Sequence, residues 1–385
     1  MVGSVLHLIN ARLTKITNSL TIRRKLMNSD QSKNDISAID AKSQAQFIAF
    51  APIMFQATRI LKTSGLLETI FRSKKITLNQ LCHRSHLSQY AISVLVEAGI
   101  TSGVLERTQE EICLTKVGYF VLNDEMTQIN MDFVHDVCYQ GIFFLDKALE
   151  AGKPEGLGQF GPWKTIYEGL SKLPDQVLKS WLSFDHYYSD QAMDESLPWL
   201  FKNEPKQLLD VGGNTGRFSL KCLRYHPDVH VTVVDLPGQL KMLTQQLASE
   251  PADITSRLSL KSLNLLEPED SLPSGFDAVW MSQFLDCFSP DQILEILRQT
   301  RDVLNLDGRL FILETYTDEQ IYDAAAHSVS MSSLYFSAMA NGNSKMYRFD
   351  EMKSLIEASG LTISEKVTRL GAAHTLLICE PTMYV

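Results

Sequence analysis

The stretch Leu208-Leu209-Asp210-Val211-Gly212-Gly213-Asn214-Thr215-Gly216 decides how the chain folds. An apolar run from Gln207 to Val211 stops at glycines and gives way to a helix-like pattern, Phe218-Ser219-Leu220-Lys221-Cys222-Leu223. That order reads as strand, tight turn, helix. Glycines let backbone pack against a ligand, and the exposed N–H groups at a helix start favour a polar or anionic group. About nineteen residues past Gly216 stands Asp235, closing a second apolar run, Val231-Thr232-Val233-Val234. An acid there can accept hydrogen bonds from both hydroxyls of a ribose. Turn and acid together read as a nucleoside-cofactor site; the turn alone would be a generic strand-to-helix connection.

Working outward, strands are expected at 207–211, 230–235, 257–263, 276–281, 308–314, 361–368 and 373–380. Helices near 216–225, 237–249, 290–304, 319–340 and 349–359 separate most of them. Alternating β and α units predict an α/β fold with a doubly wound, mostly parallel sheet and ligands at the carboxyl ends of its strands. The last two strands flank Gly371 too tightly for a helical crossover, so they predict an antiparallel hairpin.

Upstream, residues 1–29 carry Arg12, Lys15, Arg23, Arg24 and Lys25, and no acid precedes Asp30. Such a start can be a targeting peptide or a membrane-surface helix. We read 1–35 as a basic, disordered extension, with the working protein starting near Met27. From Ile39 to about Phe71 the pattern predicts a helix broken or kinked at Pro52. Phe47, Phe50, Ala51, Met54, Phe55, Leu61 and Leu66 recur mostly at three and four. A helix apolar over so wide an arc is buried on more than one side, which points to a partner subunit and a homodimer. Ile76–Leu81 and Leu87–Gly99 then read as two short helices, and Gly103–Glu106 and Glu111–Thr115 as a hairpin: a winged helix. Its second helix, from Ser88 to Ala98, has no basic residue and carries Glu97, so a dimerisation role is favoured over DNA binding.

Residues 120–200 are helical and rich in aromatics, including Tyr139, Trp163, Phe184, Tyr187 and Tyr188. Rings beside polar tips in Phe184-Asp185-His186-Tyr187-Tyr188 suit the wall of a pocket for an aromatic, hydroxylated ligand, although a helix with one buried and one wet face would look the same. Phe288, Met331 and Tyr335 complete the expected substrate wall. The domains read as 1–35 extension, 36–125 winged helix, 126–200 helical linker and lid, and 201–385 catalytic.

A net charge of −9 argues against a large nucleic-acid footprint. The six cysteines are scattered without a Cys-x-x-Cys pair, so neither a zinc site nor a disulfide framework is expected, and a reducing, cytoplasmic setting fits. No apolar run is long enough for a membrane span, and no metal is expected.

These motifs resemble the class I, S-adenosylmethionine-dependent methyltransferases of small hydroxylated metabolites, dimeric enzymes with an N-terminal winged-helix dimerisation domain. The resemblance runs from about residue 45 to 380. It implies that Asp210, Gly212, Gly213 and Gly216 form the glycine loop and that Asp235 and Leu236, with Pro237 after them, form the ribose contact. It places Asn264 and Leu265 at the adenine, where the family usually has Asp, and Ser282 and Gln283 beside the cofactor. The family's His-Asp-Trp-like segment is here Asp286-Cys287-Phe288, so the usual base is missing. Asp286 can itself be the base, the acceptor can ionise unaided, or His186 can serve; Asp286 can also be a mere helix cap, although Ser289 is better placed for that. The Ser282–Ser289 and Met339–Tyr347 segments resemble a bacterial subgroup that modifies phenolic, tyrosine-like precursors of pigments and antibiotics. That resemblance implies a phenolic substrate, methylated on oxygen or on the ring carbon next to the phenol. A non-catalytic cofactor-binding descendant is the competing expectation.

Overall fold

The structure, a computed structural model, describes residues 36–267 and 271–382, so the expected basic extension lies outside the described residues. The chain divides into two compact units, the first ending at Asp124 and the second beginning at Glu125.

In the first unit, α1 (Ala38–Thr63) is capped by Ser37, whose side chain accepts from the Asp40 N–H. It runs through Pro52 without the expected break and stops at Ser64 and Gly65. The terminator is Gly65, at φ 78°, a left-handed conformation glycine adopts without penalty. There follow α2 (Leu66–Ser73), β1 (Ile76–Thr77), α3 (Leu78–His83), α4 (Gln89–Thr101), β2 (Leu105–Thr108), β3 (Glu111–Leu114) and α5 (Lys116–Asn123). The wing is three-stranded, in the order β1-β3-β2, rather than the hairpin alone. Leu61, Leu67, Ile70, Leu81, Ile92, Val96 and Ile112 are fully buried in this unit. Along α1, Ile39, Phe47, Ile48, Phe50 and Ile53 stay exposed.

The second unit opens with α6 (Glu125–Phe133), which runs on as a π-helical turn, Val134–Cys138. After α7 (Leu145–Ala151) comes the long α8 (Asp175–Leu200). The alternating part follows: β4 (Gln207–Val211), α9 (Arg217–Tyr225), β5 (His230–Asp235), α10 (Pro237–Leu247), β6 (Leu258–Ser262) and β7 (Phe276–Ser282). It continues with α11 (Pro290–Val303), β8 (Leu304–Glu314), α12 (Asp323–Tyr335), α13 (Phe349–Ala358), β9 (Leu361–Leu370) and β10 (His374–Pro381). A short helix, Ala252–Thr255, was not anticipated.

The seven strands lie in the order β6-β5-β4-β7-β8-β10-β9, and β10 runs antiparallel to both neighbours. The order reverses between β4 and β7, so both carboxyl ends open onto one crevice, where open α/β sheets bind ligands. β4 and β7 are central and nearly continuous in apolar residues because helices cover both faces. Leu208, Phe218, Val233 and Trp280 belong to one core layer, and Leu209, Val279, Ile296 and Ile312 to the other. Ser289 starts α11 with a reciprocal capping box to Gln292, which leaves Asp286 free of a capping role. Among the described residues no helix is long and apolar enough to cross a membrane.

Candidate active site

A cavity of about 440 Å³ opens at the β4/β7 crevice, within the second unit. Its floor is the glycine loop. Gly212 sits at φ 73° and Gly216 at φ 76°. A Cβ on Gly212 would come within 2.2 Å of the Phe284 ring, and one on Gly216 within 2.4 Å of Leu243 Cδ1. A Cβ on Gly213 would fall 2.7 Å from Val233 Cγ1. All three are therefore fitted without a side chain; Gly212 and Gly213 line the cavity, whereas Gly216 does not.

Asp235 ends β5 with both oxygens engaged. One accepts from the Asn214 N–H and the other from the Leu236 N–H, each at 2.7 Å. Burial raises its pKa to about 6, and the two N–H donors pull against that rise. The carboxylate is thus aimed from both sides, and each oxygen keeps acceptor capacity for a diol. Asp235→Ala should weaken S-adenosylhomocysteine binding by about 1.5–3 kcal/mol, the scale of a hydrogen bond to a charged group. Calorimetry with unaltered affinity would remove the ribose role.

Asp210 does different work from its neighbours. It is 2% exposed, and its Oδ2 takes the Ser219 hydroxyl at 2.5 Å, tying the end of β4 to the first turn of α9. Burial pushes its pKa up to about 7. Asn264 and Leu265 follow β6 on the cavity wall, and Asn264 Oδ1 accepts from the Leu266 N–H at 3.2 Å. Past β7, Gln283 takes a left-handed φ of 47°. Among the described residues five lining side-chain atoms, His186 Nε2, Asn214 Oδ1, Trp280 Nε1, Ser282 Oγ and Gln283 Oε1, are buried without a protein partner. Buried polar atoms are rarely orphaned unless a ligand or water completes them. Glycine cradle, oriented acid and orphaned polar atoms together fit S-adenosylmethionine, with its ribose diol, ammonium and carboxylate.

Above the floor, Asp286 lies in the turn Leu285–Cys287 and is 6% exposed. Burial raises its pKa to about 6, against a Cys287 Sγ–H donated to its Oδ1 at 3.3 Å. Behind it, Glu314 at the end of β8 accepts the N–H groups of Phe284 (3.0 Å) and Leu285 (2.9 Å) and so holds the turn. Glu314 is also raised, by burial and then by the Asp286 charge. Two such carboxyls close together cannot both ionise cheaply.

The roof is aromatic. Phe133 stacks on Phe184 with centroids 4.1 Å apart, and Trp181 donates to the Tyr335 hydroxyl at 2.8 Å. Phe288, Phe336 and Met346 also face the space. Phe133 and Phe336 stand where α6 and α12 pass into π-helical turns, a distortion often found at functional sites. Of the expected substrate wall, Phe184, Phe288 and Tyr335 line the cavity, whereas Tyr139, Trp163, Tyr187, Tyr188 and Met331 do not. Trp163 packs beneath Gly161 and Gly169, and the Tyr188 hydroxyl donates to Asn130 Oδ1. On α8 the cavity side takes Trp181, Phe184, Asp185, His186, Ser189 and Met193 and leaves Tyr187 outside. Tyr188 is in helical phase with Phe184 but turns to Asn130. Trp181, three residues before Phe184, is a lining residue that helical period could have flagged.

His186 also lines the cavity, but its state is that of a donor. Arg217 NH1 stands 2.9 Å from His186 Nδ1, and guanidinium can only donate, so the imidazole proton sits on Nε2. Burial, then the Arg217 charge, lowers the pKa to about 4. A neutral imidazole with Nδ1 occupied and Nε2 protonated has no lone pair to offer.

Comparison with known proteins agrees with this geometry. Residues 42–111 match a Dimerisation2-like domain, and residues 209–310 match a methyltransferase domain. The chain is 21% identical over 329 residues to the L-tyrosine C(3)-methyltransferase of Streptomyces lavendulae, covering 84% of this chain and 85% of that one. It is 26% identical over 249 residues to O-methyltransferase SfmM3 of the same organism, covering 57% of this chain and 73% of the relative. In fold it is similar to the S-adenosylmethionine-dependent methyltransferase SibL, with a TM-score of 0.66 at 21% identity over 89% of this chain and 99% of the other. Glycine loop, oriented acid, antiparallel β10 and the two matched domains converge: this chain carries a methyltransferase domain behind a Dimerisation2-like domain.

Proposed function

We propose that the enzyme methylates a phenolic small molecule, with Asp286 as the base. One observation carries this reading: the cofactor floor and an aromatic-walled chamber are parts of one cavity, with a buried carboxylate between them. S-adenosylmethionine supplies an activated methyl on sulfur when bound. The chain's own residues must then orient an electron-rich acceptor in line with it, remove a proton and exclude water. Phe133, Phe184 and Tyr335 offer faces for a ring, and the raised carboxyl of Asp286 is matched to removing a phenolic proton near neutral pH. In this reading 126–200 is the lid and 201–385 the catalytic part.

Methylation of the ring carbon beside the phenol is the second reading. It is favoured by the name of a relative that covers 85% of its own length, an L-tyrosine C(3)-methyltransferase. A phenolate donor serves both outcomes. The exposed apolar face of α1 and the Dimerisation2-like match support a homodimer built through the first unit. Mass spectrometry after incubation with S-adenosylmethionine and a panel of phenols tests the proposal, and NMR of the product distinguishes methoxy from aryl-methyl. Cofactor binding without any methylated phenol would overturn it.

A further inference from the structure

One carboxylate in the chamber has no role in the chemistry just described. Asp185 faces the cavity from α8, one residue from Phe184 and one turn from Trp181. It lies close enough to Tyr335 and to Asp286 for its charge to act on both. It therefore sits beside the aromatic roof, on the side of the cavity that Arg217 also reaches. Its nearest basic partner is poor: His186 Nε2 is 4.0 Å from its Oδ2, and that imidazole is neutral. Arg217, the cation beside it, is already paired with Asp190 and hydrogen-bonded to His186. Among the described lining residues the only other basic side chain is Lys164, against Glu168, Asp185, Asp210, Asp235, Glu267 and Asp286. A partly buried carboxylate with no cation of its own is costly, and burial followed by the charges of Asp286 and Asp190 pushes its pKa up to about 7.

A ligand ammonium would offset that cost, and rings around a carboxylate suit an organic cation doubly, through charge and through their π faces. We propose that Asp185 anchors an ammonium group carried by the aromatic substrate, so that the site takes phenols bearing a side-chain amine. The inference rests on the phenol reading above. It assigns Asp286 to the hydroxyl end of the substrate and Asp185 to the amine end. It also accounts for an unpaired acid in an aromatic wall, which a neutral phenol would leave buried and unsatisfied.

Calorimetry on the full chain saturated with S-adenosylhomocysteine tests it, with tyramine and its uncharged analogue 4-ethylphenol as probes. Tyramine should bind about tenfold or more tightly, the scale of one charge-assisted hydrogen bond. Asp185→Asn should reduce tyramine to the affinity of 4-ethylphenol and leave 4-ethylphenol and S-adenosylhomocysteine unchanged. Equal binding of the two probes by the unmodified protein would overturn the amine anchor and leave the phenol reading standing. Loss of cofactor affinity in Asp185→Asn, with the tyramine preference intact, would also overturn it by assigning the carboxylate to the cofactor's own charge. If S-adenosylhomocysteine binds and neither probe does, the phenol reading falls and the anchor with it.

Discussion

Asp286→Asn should lower turnover by about 10²-fold or more, the usual worth of a positioned base, with S-adenosylhomocysteine affinity unchanged. The amide keeps the shape of the carboxyl and loses its basicity. The side chain is 6% exposed in a turn held by Glu314, so the substitution leaves the backbone anchored through Phe284 and Leu285. The pH dependence follows from the sign of the shift. Burial raises Asp286 to about 6, and the base must be ionised, so turnover of the unmodified enzyme should fall as pH drops through that value. In the asparagine variant that inflection should vanish. Near-normal turnover with an unchanged pH profile would show that the acceptor ionises without help from this residue.

Gly212→Ala should be as damaging by another route. The position holds φ 73°, where a side chain costs about 1–2 kcal/mol in backbone conformation alone. The new methyl would also sit 2.2 Å from the Phe284 ring, far inside contact distance. Phe284 starts the turn that carries Asp286, so relief of the clash moves Asp286 as well as the loop. We expect cofactor affinity to fall about tenfold or more and turnover to fall further, with a lower melting temperature. An alanine variant with the parent's affinity and turnover would mean that the loop is slack rather than fitted.

The contrast between these two sites shows what was readable in the chain. The glycine loop, Asp235 and Leu236-Pro237 lie at places where local sequence and local structure coincide, a strand end followed by a turn. Their geometry needs no distant partner to be inferred. The sheet was readable for the same reason: β4, β5 and β7 are apolar runs bounded by turn residues. Pro52 does not end α1, because a proline inside a helix loses one hydrogen bond without necessarily ending it, and the helix stops at Ser64 and Gly65. The aromatic roof was harder. Trp181 meets Tyr335 across a sequence separation of 154, and Glu314 holds the Asp286 turn from the next strand. Such pairings depend on tertiary packing, and no local pattern reports them. Reading 184–188 as a block also drew Tyr187 and Tyr188 into a wall that they do not line, and for Tyr188 only its tertiary partner Asn130 reports this.

The account rests on the β4/β7 crevice being an S-adenosylmethionine site, and calorimetric titration of the full chain with S-adenosylmethionine tests it most directly. Saturable binding of one cofactor per chain is expected, weakened in both Asp235→Ala and Gly212→Ala. No binding, or binding indifferent to both substitutions, would contradict it.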